Sequence, residues 1–161
     1  MDRLILQKAA SYCAYQERTQ DEVKQRLRKW NVWGEEADEI IAELISMNYL
    51  SEERFAKTFA GGKFRVKNWG RIKIKQELQR RGISKYSLDQ GMAEIKDESY
   101  IATLKQLLEK KRALLERTET NPLVIKQKLA RYALAKGYES ELVWKELGGL
   151  SFGCAQDDNG S

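Results

Sequence analysis

Between residues 63 and 81 the chain carries Lys63, Arg65, Lys67, Arg71, Lys73, Lys75, Arg80 and Arg81 against a single acid, Glu77. Elsewhere 21 basic side chains face 23 acidic ones, so the net charge of +5 is concentrated in this stretch. Cationic groups at this density displace counterions from an anionic polymer or pair with the carboxylates of a protein. Phe64 and Trp69 lie in the same stretch and offer rings on which a base can stack. Each feature has a plainer alternative. The charges can form a solvated helix face, and Trp69 can fix the start of a helix against the core, with Gly70 supplying the tight turn.

Other chemistries are excluded by residue type. The chain contains no histidine, which removes zinc hydrolases, histidine-based triads and histidine phosphotransfer. Its two cysteines, Cys13 and Cys154, stand 141 residues apart and have no metal-ligand spacing. Cys13 falls in an apolar helix and Cys154 in a loose tail, so reduced thiols of unequal reactivity are expected, with Cys154 the faster. Glu35, Glu36, Asp38 and Glu39 belong to a first helical turn, where acids suit the helix dipole, rather than to a metal site. Gly61-Gly62-Lys63 is too short a match to a phosphate-binding loop. No lysine is singled out as a nucleophile or base. The expectation is a protein that is not an enzyme and needs no cofactor and no metal.

At 161 residues, with 42% hydrophobic and 33% charged side chains, the chain has enough apolar material to fold. No apolar run exceeds four residues, which points to a cytoplasmic protein without a membrane span.

The elements that must carry the basic stretch are set by an internal repeat. Val23-Lys24-Gln25-Arg26-Leu27 recurs as Ile74-Lys75-Gln76-Glu77-Leu78 and as Ile125-Lys126-Gln127-Lys128-Leu129, both intervals being 51. Ala42-Glu43-Leu44 matches Ala93-Glu94-Ile95 at the same interval, so the first two copies are the closer pair. Thr19-Gln20-Asp21-Glu22 has the form of a capping box, and Asn121-Pro122 opens another helix. Ser51 and Ser140 precede acids, and Gly82 and Gly137 follow basic turns. These signals predict helices at 2–16, 20–30, 35–48, 52–67, 71–81, 85–96, 98–117, 122–136 and 141–148. The fold class is therefore all-α, with three tandem three-helix repeats at 1–50, 51–96 and 97–150 and a disordered tail at 151–161. Units this small bury too little surface alone, so an elongated, curved array is expected.

On the fifth helix, Ile74 and Leu78 mark the buried stripe, Arg71 and Lys75 border it, and Lys73 and Arg80 point away. Tyr12, Tyr15, Trp30, Trp33, Tyr132 and Trp144 fall at apolar helical positions and are expected in the core.

Tyr49-Leu50-Ser51-Glu52-Glu53-Arg54-Phe55-Ala56, followed by Gly70-Arg71-Ile72, Glu77-Leu78 and Arg81-Gly82-Ile83, resembles the RecX family of bacterial regulatory proteins. That resemblance implies three tandem three-helix repeats that bind the RecA recombinase filament and typically inhibit strand exchange, ATP hydrolysis and coprotease activity. It implies a monomer that meets single- or double-stranded DNA weakly or as part of the filament. The chain departs from the family in having Glu52 where aspartate is usual, and in Gly61-Gly62 within the fourth helix, where each glycine costs about 1 kcal/mol relative to alanine. A nucleic-acid binder with no recombinase partner, and a helical scaffold with a solvated basic face, are the competing readings.

Overall fold

The computed structural model describes residues 1–150; the expectations for the tail at 151–161, including the reactivity of Cys154, lie outside the described residues. The described residues form nine helices and no strand: α1 (Arg3–Tyr15), α2 (Gln20–Lys29), α3 (Gly34–Ser46), α4 (Glu52–Lys67), α5 (Arg71–Arg80), α6 (Lys85–Met92), α7 (Asp97–Leu115), α8 (Pro122–Ala135) and α9 (Ser140–Gly148). Local chemistry sets the boundaries. Thr19 and Glu22 close a complete capping box on α2, Ser51 Oγ accepts from the Arg54 N–H, and the Asn121 side chain accepts from the Leu123 N–H ahead of Pro122. Each satisfies an amide that the first turn leaves unpaired.

Helix ends use asparagine as well as glycine. Asn31, Asn48 and Asn68 follow α2, α3 and α4 with φ of 61°, 64° and 57°, and Gly82 and Gly137 follow α5 and α8 at 74° and 101°. Asparagine is the side chain that best tolerates this left-handed conformation. α4 runs unbroken through Gly61-Gly62. α6 stops at Met92, four residues before the expected end, because the chain turns at Ala93-Glu94 and sends Ile95 into the core.

The described residues divide into two compact units that do not follow the repeat boundaries: Met1–Gly62 with Glu77–Glu94, and Lys63–Gln76 with residues 95–150. The first has its core in Ala9, Cys13, Val23, Leu27, Ile40, Ile41, Leu44 and Leu50. There α4 and α6 approach so closely that a Cβ on Gly91 would lie 2.7 Å from the Ala56 carbonyl oxygen. Cys13 is buried in this core, and burial pushes its thiol pKa up. The second unit is built on Phe64, Ile74, Tyr100, Leu104, Leu108, Ile125, Leu129, Tyr138, Val143 and Leu147.

Three of the six aromatic side chains expected in the core lie at the surface instead. Tyr15 is 83% exposed, Trp33 61% and Trp144 44%, while Tyr12, Trp30 and Tyr132 are half-buried. The fully buried aromatic pair is Tyr100 and Tyr138, stacked with ring centroids 4.9 Å apart. Tyr15 ends α1 and Trp33 immediately precedes α3, so neither has a neighbouring turn to cover it.

Candidate nucleic-acid interface

Six of the eight basic residues, Lys63 to Lys75, belong to the second unit; Arg80 and Arg81 belong to the first. In the first unit both arginines reach Glu77, with Arg81 Nη1 at 2.9 Å, and the Arg81 guanidinium also lies over Phe59 at 4.7 Å. Arg81 and Arg80 together hold the Glu77 carboxyl below its ordinary range, Arg81 contributing most. Two positive charges are thus set against one negative charge on the same turns of helix.

In the second unit the loop that carries the basic stretch is fastened by its backbone. Gly70 N–H donates to the Lys136 carbonyl at 2.7 Å and Ile72 N–H to the Gly137 carbonyl at 2.9 Å. Tyr138 Oη donates to the Asn68 carbonyl at 3.0 Å, and Lys136 Nζ to the Lys67 carbonyl at 3.2 Å. Arg71 N–H donates to Tyr100 Oη at 2.9 Å, and that hydroxyl in turn donates to the Glu139 carboxylate. Burial first, then the Glu139 hydrogen bond, keeps Tyr100 protonated far above the usual tyrosine range.

These contacts sort the basic side chains. Arg71 is only 27% exposed; it lies 4.1 Å from the Tyr100 ring centroid, donates to the Ile95 carbonyl at 3.1 Å and pairs with Asp97 at 2.6 Å. Its guanidinium is committed within the unit. Lys73, expected to face away from the core, is half-buried, because the Gly137 turn approaches its backbone from the other side. Lys63 and Lys73 hold their ammonium groups 4.9 and 4.5 Å from the Trp69 centroid, so the half-buried indole lies in reach of two cations. Phe64 is corrected to the core: it is 7% exposed, with its ring 5.9 Å from that of Tyr100. Arg65, Lys67 and Lys75 project from the unit with exposed side chains.

The structure adds a helix that the 63–81 stretch does not include. α8 carries Lys126, Lys128 and Arg131 and no acid, with Lys128 and Arg131 exposed, and Lys136 follows at its end beside Lys67. Lys63–Gln76 and residues 95–150 together hold 17 basic and 8 acidic side chains, whereas the first unit holds 12 and 14. The sequence signal for α8 is its lack of acids, with three bases between an α7 and an α9 whose charges nearly cancel. Such a surface can neutralise phosphates or carboxylates without reading a sequence of bases. Among the described residues no group of histidine, cysteine, aspartate or glutamate is arranged to hold a metal ion, and no helix is long and apolar enough to cross a membrane.

Comparison with known proteins gives the arrangement its context. Residues 6–44, 51–92 and 97–147 match, in order, the first, second and third three-helix domains of RecX. The chain is 27% identical over 143 residues to the regulatory protein RecX of Clostridium acetobutylicum, covering 88% of this chain and 64% of that protein. It is 30% identical over 136 residues to that of Halalkalibacterium halodurans, covering 84% and 50%. The chain thus spans about half to two thirds of the length of these curated relatives. In fold it is similar to the crystal structure of RecX from Lactobacillus salivarius, with a TM-score of 0.81 at 20% identity over 91% of this chain and 94% of that one. With all three of its three-helix domains present and in order, this chain belongs to the RecX family of regulatory proteins.

Proposed function

We propose that the chain binds the RecA nucleoprotein filament in the cytoplasm and inhibits strand exchange, ATP hydrolysis and coprotease activity, acting as a monomer with a regulatory rather than a catalytic role. The partner comes from the family. The observation that carries the mechanism is the second unit's excess of 17 basic over 8 acidic side chains, with the 68–70 loop between α4 and α5 fastened to the turn that follows α8. Arg65, Lys67 and Lys75, with Lys128 and Arg131 of α8, are the contact residues, meeting phosphates or recombinase carboxylates. Lys63, Lys73 and Trp69 add charge and a stacking surface beside them. Arg71 positions the loop, and Glu77 reduces the pull of Arg80 and Arg81. The repeats proposed to act in tandem are 1–50, 51–96 and 97–150. A filament so occupied is closed to other partners and resists the rearrangement that exchange requires.

The acid-free α8 favours a second reading, a nucleic-acid binder with no recombinase partner. An order-of-addition assay separates the two. Added to preformed filaments of the cognate recombinase, the protein lowers ATP hydrolysis and strand exchange on the first reading; on the second it acts only when it meets bare DNA before the recombinase does.

A further inference from the structure

The first unit carries a groove of opposite character. Met1, Leu4 and Leu6 from the start of the chain, with Glu43 and Met47 from α3 and its end, line a space of about 880 Å³. Leu4 is 68% exposed and Met47 41%. The fold does not need them there: α1 supplies Ile5, Leu6, Ala9, Ala10, Tyr12 and Cys13 to its core, and α3 supplies Ala37, Ile40, Ile41 and Leu44.

α3 has five acids, Glu35, Glu36, Asp38, Glu39 and Glu43, and no base. At 100° per residue Glu36, Glu39 and Glu43 form one stripe that runs down the helix into Met47. None of the three forms an ion pair among the described residues. Asp38 lies elsewhere, with Lys24 and Arg28. Arg3 is the one base lining the groove and pairs with none of these acids. Three unneutralised carboxylates leading to an apolar floor repel anionic lipid and nucleic acid alike, and they match a cationic segment with an apolar anchor.

We infer that this groove docks a basic segment of a partner protein, which seats one large apolar side chain between Leu4 and Met47 and lays lysines or arginines along Glu36, Glu39 and Glu43. The site is independent of the polyanion surface and opposite to it in sign, so either can fail without the other.

The probe is a synthetic amphipathic peptide of leucine and lysine, titrated into the full chain labelled with ¹³C at its methionine methyls. The chain has three methionines; Met1 and Met47 line the groove and Met92 ends α6 outside it. The expected result is a saturable shift of the Met1 and Met47 signals with Met92 unmoved. Leu4→Gln, and separately Glu36→Lys with Glu39→Lys, should each raise Kd at least about tenfold, and added salt should weaken binding. All three substituted side chains are exposed, so the fold survives. Equal movement of all three signals, no movement, or affinity unchanged in both variants overturns the proposal. So does a shift that follows protein concentration without peptide, which would make a second copy the occupant. A response to anionic vesicles and not to the peptide does the same.

Discussion

Gly70 and Gly137 meet backbone to backbone: a Cβ built on Gly70 would stand 2.2 Å from the Gly137 carbonyl carbon. One built on Gly137 would stand 2.4 Å from Lys73 Cβ, and Gly137 holds φ at +101°. The loop leading into α5 and the turn leaving α8 are therefore one body, and the basic side chains of both are held in register by contacts that no side chain could replace.

Gly70→Ala and Gly137→Ala should each cost about 3 kcal/mol or more, because backbone must move to admit the methyl group. Gly62→Ala is the opposite case: its Cβ meets nothing within 4 Å inside α4, and the change should stabilise by about 1 kcal/mol. Denaturant unfolding checks both; Gly70→Ala at parent stability would refute the close contact.

Arg71 should behave as a structural residue. Arg71→Lys loses the Ile95 hydrogen bond and the stacking on Tyr100, and should cost about 2 kcal/mol. Lys75→Ala, on an exposed side chain of the same helix, should stay within about 0.5 kcal/mol of the parent. Equal stabilities in thermal unfolding would return Arg71 to the contact surface.

Of the seven tyrosines, Tyr100 and Tyr138 should remain protonated while the chain is folded, since burial drives both far above the usual range. A group whose folded pKa is raised contributes stability that is complete below its unfolded pKa, about 10, and is lost as pH climbs past that value. Ultraviolet titration should show the two ionising only as the protein unfolds in alkali, and Tyr138→Phe should flatten the loss of stability above pH 10. Normal titration of all seven in the folded chain would contradict the buried pair.

The sequence was most legible where punctuation is chemical. The capping box at Thr19, the Asn121-Pro122 start and the glycine stops mark helix ends within a few residues, and the 51-residue repeat orders the helices into threes. Asn31, Asn48 and Asn68 end helices as glycine does, but an isolated asparagine carries no such signal. Helical spacing identified Ile74 and Leu78 as buried, yet it placed Lys73 on the free side because a wheel shows one packed face and α5 has a second, against Gly137. The same limit misassigned Tyr15, Trp33 and Trp144: periodicity gives a face, not what covers it. The hydrogen-bonded chain of Arg71, Tyr100 and Glu139 joins residues 29 and 39 positions apart and leaves no local trace.

We propose that the second unit's exposed cations hold a recombinase filament by their charge. The direct test is an Arg65→Glu, Lys67→Glu, Lys75→Glu protein, which spares Lys73 because its backbone meets Gly137. Binding to preformed RecA filaments is measured at a salt concentration that abolishes binding to bare DNA. The parent should bind and inhibit ATP hydrolysis, while the variant, of unchanged helicity, should bind at least about tenfold more weakly. Where a lost contact is to phosphate, the log–log salt slope should also fall by about 0.7 to 0.9 per residue. A folded variant that binds and inhibits as the parent does would overturn this role for the three side chains and leave the basic stretch a solvated face.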